Sequence, residues 1–238
     1  MRIVVNHLTR MRAGYICVAG VDVETGKHVR PVLAEGALPI DLLLRYGGPF
    51  DMARMVDLGA VRSSPEKPHV EDRVIVPSRL RSTGPLPAAE FWSVLQGLCG
   101  QTLRAIFGDD LVRVGGQSWA VPAGKGGVSL GCLRPKRGPS LRYLAAGRSG
   151  RPEVRIALDD AGMTLNAPVT DIRLYGNDHL TPRPDLVDSV ARRLRRGEGV
   201  ILGLGLTRPF ASKPEADPLC WLQVTNIHLE GDPAWQLG

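Results

Sequence analysis

GVILGLGLTRPFASKPEADPLCWLQVTNIHL, residues 199–229, reads as two β-strands joined by a long polar loop. In the first strand Val200, Leu202, Leu204 and Leu206 alternate with Ile201, Gly203, Gly205 and Thr207. That period of two leaves one face fully apolar and the other nearly bare. In the second strand Leu222 and Val224 share a face, and Ile227 and Leu229 rejoin it only if one residue is skipped near Thr225-Asn226. A one-residue skip is what a β-bulge does. Bulges and strand glycines bend a sheet toward closure. The stretch therefore predicts a barrel that is closed by the end of the chain.

Working outward, strands are expected at Arg2–Val5, Tyr15–Val23 and His28–Leu33, followed by a short helical stretch at Leu38–Tyr46. Strands at Met55–Arg62 and Asp72–Val76 complete a first group. Pro87 to Phe107 reads as one long helix, with Phe91, Leu95, Leu98, Leu103 and Ile106 at helical spacing and Gly108 as its stop. A lead-in strand at Leu130–Leu133 precedes strands at Leu141–Ala145, Glu153–Leu158 and Met163–Tyr175, the last interrupted near Pro168. A helix follows, with Asp185 and Asp188 in its first turn and Arg192, Arg193, Arg195 and Arg196 near its end, both matched to the helix dipole. The order of three strands, helix, two strands thus occurs twice. It is the order of an OB-fold, a five-stranded Greek-key barrel. The expected fold is mainly β: two tandem OB-like five-stranded barrels, 1–85 and 110–238, joined by a helix at 86–109. A single larger mixed α/β domain is the competing architecture.

The 238 residues suffice for one large domain or two small ones, with 43% hydrophobic residues, 28 Gly and 19 Pro. Many short strands between Gly/Pro turns fit those counts. The net charge is +6 and is unevenly placed: 13 basic against 12 acidic residues over 1–110, but 17 against 12 over 111–238. A basic half suits a polyanionic partner. Its basic residues are nearly all Arg, with only five Lys in the chain, so genome composition is the plainer source of that excess. Met1-Arg2 runs directly into a short apolar strand, and no apolar run approaches the roughly 20 residues that span a bilayer. A soluble cytoplasmic protein with reduced thiols and no membrane partner is expected.

Several stretches resemble bacterial dual OB domain-containing proteins. They are NHLTRMRAGYICVAG at 6–20, PHVEDRVIV at 68–76, VTDIRLY at 169–175, GLGLTRPF at 203–210 and CWLQVTNI at 220–227. The resemblance spans nearly the whole chain. It implies two OB-like domains with a nucleic-acid or nucleotide role, in a setting of bacterial conflict or defence, and it supplies no catalytic residue.

The residues themselves point the same way. Arg134, Lys136, Arg137, Arg142, Arg148, Arg151 and Arg155 fall within 22 positions, with Tyr143 among them. Such clusters bind phosphates, and OB-folds stack bases on aromatic rings within a basic groove. Arg173 and Tyr175 are expected on one strand face, and Arg208, Phe210 and Trp221 flank the closing loop. The expected nucleic-acid contacts are Arg134, Lys136, Arg137, Arg142, Tyr143, Arg173, Tyr175, Arg208 and Trp221. A solvated arginine face is the plainer reading of the cluster, and core placement the plainer reading of Phe210 and Trp221.

Enzymatic chemistry finds little support. Cys17, Cys99, Cys132 and Cys220 form no CxxC pair. Gly203-x-Gly205 lacks the helix a phosphate loop needs. His69, Glu71 and Asp72 supply too few ligands for a metal, as do His179, Asp178 and Asp171, and are better read as loop groups that satisfy backbone N–H donors. No catalytic residue, cofactor or metal is expected. The favoured function is non-catalytic recognition of single-stranded DNA or RNA. Alternatives are a protein-interaction scaffold, or an enzyme or nucleotide sensor with a pocket between the barrels near His69–Asp72.

Overall fold

A computed structural model describes residues 1–147, 150–211, 213 and 215–235. The fold is mainly β. The first strands are β1 (Arg2–Arg10), β2 (Tyr15–Asp22), β3 (His28–Val32), β4 (Leu38–Pro39), β5 (Arg54–Asp57), β6 (Arg62–Ser63), β7 (Asp72–Val74) and β8 (Arg81–Pro85). They form one sheet in the order β6-β7-β3-β2-β1-β5-β8, with β4 alongside β2. The run β5-β1-β2-β3 is the Greek-key order, since the fourth main strand returns beside the first. β7 joins β3 in parallel, through Arg30 to Val32 against Asp72 to Val74.

Residues 38–46 do not form the expected helix. Two 3-10 turns, Ile40–Leu42 and Leu44–Tyr46, are separated by extended Leu43. The reason is a competing partner: Phe50 N–H donates to Leu42 O and Leu44 N–H donates to Phe50 O. The long helix is also divided. α1 (Ala88–Gly97) ends, Cys99–Gly100 becomes the short strand β9, and α2 (Leu103–Phe107) restarts with Thr102 Oγ1 accepting from Ala105 N–H at 3.1 Å. Cys99 and Gly100 pair in parallel with Cys132 and Leu133, so a sheet takes the backbone groups a helix would have used. Gly100 and Gly131 both lie against Ile106, where a Cβ at either would stand 2.3 Å from its side chain.

The remaining strands are β10 (Val112–Arg113), β11 (Trp119–Pro122), β12 (Leu130–Leu133), β13 (Ser140–Leu144), β14 (Glu153–Asp160) and β15 (Met163–Pro168). α3 (Pro184–Arg195) and the closing strands β16 (Val200–Leu206) and β17 (Leu219–Leu229) follow. The expected order therefore appears, as β13-β14-β15, α3, β16-β17. It is spread over two sheets: β10-β11-β17-β16-β12-β9, and β13-β14-β15, which meets β17 through a bridge between Val169 and Val224. The expected strand through Tyr175 stops at Pro168, and a 3-10 turn spans Ile172–Leu174.

The bulge lies where the hydrophobic phase required it. Gly203 pairs with Asn226 and Leu204 with Val224, which leaves Thr225 as the extra residue. Apolar burial divides into two clusters, and the connecting segment serves both. Phe91, Trp92 and Leu95 pack with the first sheet, and Leu103 and Phe107 pack with the closing strands. Cys132, Ile172 and Ile201 join the first cluster from later in the chain. Among the described residues, no helix is long and apolar enough to cross a membrane.

Candidate nucleic-acid interface

The first and closing sheets meet where β1 lies on β17. Leu8 N–H donates to Asn226 Oδ1 at 2.9 Å, and Asn226 Nδ2 donates back to Leu8 O at 3.2 Å. His7 Nδ1 is 2.7 Å from Thr225 Oγ1, and His228 Nε2 is 3.1 Å from Asn6 O. The bulge turns Thr225 toward His7, and the bare face of β16 makes room for both. A Cβ at Gly203 would stand 2.9 Å from Thr225 Oγ1 and 3.1 Å from His7 Nδ1.

Above this seam opens a cleft of about 560 Å³. Its first wall comes from β1, β2 and β3, and its second from β16, β17 and the residues after Leu206. Apolar Ile16, Val32, Leu38 and Leu206 alternate with polar Gln223 and Thr225 and with Arg10, Arg12, Arg30 and Arg208. Phe210 is 50% exposed at its rim, with its ring 6.0 Å from that of Trp221 and tilted by 33°. Trp221 is itself partly buried, so both rings stand between core and solvent.

The arginines are held differently. Arg30 is buried: Nε donates to Asp72 Oδ1 at 2.7 Å and Nη2 to Ser129 Oγ at 2.7 Å. Arg208 reaches the other oxygen of Asp72 at 2.6 Å, with its own side chain 49% exposed. The Arg10 guanidinium stacks on the Tyr175 ring at 4.2 Å, and its buried Nε has no hydrogen-bond partner. The Trp221 indole N–H is likewise buried and unpartnered. Buried donors without acceptors are uncommon in folded proteins.

The carboxylates of the acidic cluster are engaged by internal partners. Glu71 accepts from Ser129 N–H at 2.7 Å, Leu130 N–H at 3.2 Å and the Ser129 hydroxyl at 2.8 Å. Backbone satisfaction was the expectation, and the N–H groups it serves lie on and beside β12, across the seam. His69 Nε2 donates to Thr207 O at 3.1 Å. Burial, with Arg30 and Arg208 nearby, lowers its pKa to about 4. Asp178 satisfies Leu180 and Thr181, while Asp171 is committed to Arg173, so these two do not converge on a metal with His179.

The expected contact residues separate into three places. Arg208 lines the cleft, and Trp221 stands behind its rim residue Phe210. Arg134, Lys136 and Arg137 are exposed on the loop after β12, at the end of that strand away from the cleft-lining Leu130. Arg142 is exposed and Tyr143 half-buried on β13. Arg148 lies outside the described residues. Arg155, from the same basic run, is buried and its Nε donates to Asn166 Oδ1 at 2.9 Å. Arg173 and Tyr175 are not on an exposed strand face. Arg173 is buried between Asp171, at 2.8–2.9 Å, and the Trp235 ring, at 4.1 Å. The Tyr175 hydroxyl donates to Val169 O at 2.7 Å. Both fold inward because the chain turns at Asp171, whose Oδ1 caps Arg173 N–H. Sequence reasoning passed over Arg10 and Arg12, although they lie in NHLTRMRAG beside a strand end.

A family model described as a dual OB-containing domain matches residues 1–227. The chain belongs to that family. No curated protein and no solved structure matches it.

Proposed function

We propose that the chain binds single-stranded nucleic acid in the cleft between the first and closing sheets. The observation that carries this reading is the convergence of Arg10, Arg12 and Arg208 with the half-exposed Phe210 in one groove, where the Arg10 Nε still lacks an acceptor. Phosphates neutralise such guanidinium groups, and bases stack on rings like Phe210 without regard to sequence. Arg30 holds the groove's base in shape through Asp72 and Ser129, which leaves the half-exposed Arg208 as the charge at its edge. Membership of a dual OB family supports the same reading, since OB-folds are a recurring platform for oligonucleotides. Gln223 and Thr225 supply neutral polar contacts on the floor.

Fluorescence polarisation with labelled oligonucleotides across a salt series tests it. Arg10→Ala/Arg12→Ala/Arg208→Ala should weaken binding at least tenfold and flatten the salt slope by about 2, since each lost phosphate contact on a single strand removes about 0.7. Arg134→Ala/Lys136→Ala/Arg137→Ala should weaken it less. No binding of DNA or RNA at about 50 mM salt, where phosphate contacts are strongest, would favour a protein-interaction role. The cleft volume also suits one small ligand, which favours a mononucleotide sensor as a second reading. Displacement of the oligonucleotide by a mononucleotide at comparable concentration would select it.

A further inference from the structure

Beneath the cleft floor, residues far apart in sequence bring three metal-ligating side chains together. His7 on β1, His28 on β3 and Cys132 on β12 place their donor atoms within 4.8 Å of one another. His7 and Cys132 are buried and His28 is half-buried. We propose that His7 Nε2, His28 Nε2 and Cys132 Sγ bind one zinc ion, with the Asn6 side chain at the fourth corner. This inference is independent of the nucleic-acid reading.

The spacing of the two imidazole nitrogens is that of a tetrahedral site. Zinc bonds of about 2.0–2.1 Å to nitrogen and about 2.3 Å to sulfur separate two nitrogens by about 3.3 Å and a nitrogen from a sulfur by about 3.6 Å. His7 Nε2 and His28 Nε2 are 3.2 Å apart. The Asn6 amide nitrogen is 3.2 Å from His28 Nε2 and 3.7 Å from Cys132 Sγ. Asn6 Oδ1 is buried and has no hydrogen-bond partner. Turning that amide over would present its oxygen to the cation, which makes an orphaned acceptor a ligand.

The surroundings prepare these groups for a cation. Burial keeps both imidazoles neutral at physiological pH, that of His28 down to about 4, so their nitrogen lone pairs are available. Burial raises the Cys132 thiol well above its ordinary range; a coordinating cation releases that proton to solvent and takes the thiolate. His7 Nδ1 meets Thr225 Oγ1, the outer partner that fixes the orientation of a ligating imidazole. The one-residue bulge in β17 therefore aims the second partner of a metal ligand. Arg30 adds positive charge nearby, and Asp72 and Glu71 balance it. Three ligands, Asn6, His7 and His28, belong to the first sheet and one, Cys132, to the closing sheet, so the ion would fasten the two together.

The test uses the full chain, stripped with a chelator and titrated with zinc against a chromophoric chelator. One equivalent per chain is expected. Cobalt(II) in place of zinc should give the intense visible bands of tetrahedral coordination and a near-ultraviolet thiolate-to-cobalt band. Cys17→Ser/Cys99→Ser/Cys220→Ser leaves Cys132 as the sole thiol and should keep that band. His28→Ala should lower zinc affinity at least tenfold, and Thr225→Val by about 10–100-fold, with the fold checked by circular dichroism. Uptake below about a tenth of an equivalent by the wild-type chain, under conditions where a site of this kind fills, would overturn the proposal. So would a cobalt spectrum without the thiolate band, or loss of that band in the variant that retains only Cys132.

Discussion

Arg30 and Arg208 grip the same carboxylate, yet their removal should have different consequences. Arg30→Met withdraws a buried guanidinium from Asp72 Oδ1 and Ser129 Oγ, at 2.7 Å each, and a longer ion pair with Glu71 at 3.8 Å. Breaking a buried pair by removing one partner costs about 3–5 kcal/mol. Asp72 keeps Arg208, so the lower end of that range, about 3 kcal/mol, is expected. Arg208→Ala leaves Asp72 with Arg30, and the lost pair is half-exposed on the arginine side. Its cost should be about 1 kcal/mol or less. The double variant strips Asp72 of both cations while it stays buried, and should cost more than the two single changes together, by about 1 kcal/mol or more. Urea denaturation gives the three stabilities, and oligonucleotide polarisation on the same samples gives the affinities. Arg208→Ala should be the variant that folds well and binds poorly, with a salt slope reduced by about 0.7. An Arg30→Met change within about 0.5 kcal/mol of wild type would refute the assignment of Arg30 as the internal partner, since that is the spread of ordinary surface substitutions.

Phe91→Ala empties a fully buried site on α1 and should cost about 3–5 kcal/mol, read as a lowered urea midpoint. Gly203→Ala places a methyl 2.9 Å from Thr225 Oγ1 and 3.1 Å from His7 Nδ1; an overpacking cost of about 1–3 kcal/mol is expected, and a neutral effect would contradict the described bulge. Acid should act through His69, whose pKa is lowered to about 4 in the folded chain from 6.5. A lowered pKa means the unfolded chain takes the proton first, so the stability is complete above pH 6.5 and is lost as pH falls toward 4, by about 3 kcal/mol. His69→Gln, which keeps a donor for Thr207 O, should remove that share of the loss from a stability–pH curve measured by chemical denaturation, while His28 and His228, lowered to about 4 by burial, keep theirs.

The strands were the most legible part of the fold, because hydrophobic alternation reports which face of a strand is buried. The bulge at Thr225 could be read because Leu222-Val224 and Ile227-Leu229 are out of phase by one residue. α3 was legible for a similar reason: an apolar stripe and dipole-matched charges agree. The 87–107 stretch misled because Leu98 and Leu103 keep helical spacing, while the deciding partner, β12, lies some thirty residues further on. Arg173 looked like a surface cation because sequence shows its charge but not Asp171 and Trp235 folding around it. The cleft and the His7–His28–Cys132 cluster were illegible for the same reason. Each is assembled across the seam from segments that no spacing rule connects.

Nucleic acid bound in the cleft would lie against Phe210 and the neighbouring arginines. Photocrosslinking with iodouridine-substituted oligonucleotides, followed by peptide mass spectrometry, tests it most directly. Crosslinks are expected at Phe210 or Trp221, abolished by Arg10→Ala/Arg12→Ala/Arg208→Ala. Crosslinks confined to Tyr143 on β13, and unchanged in that variant, would contradict it.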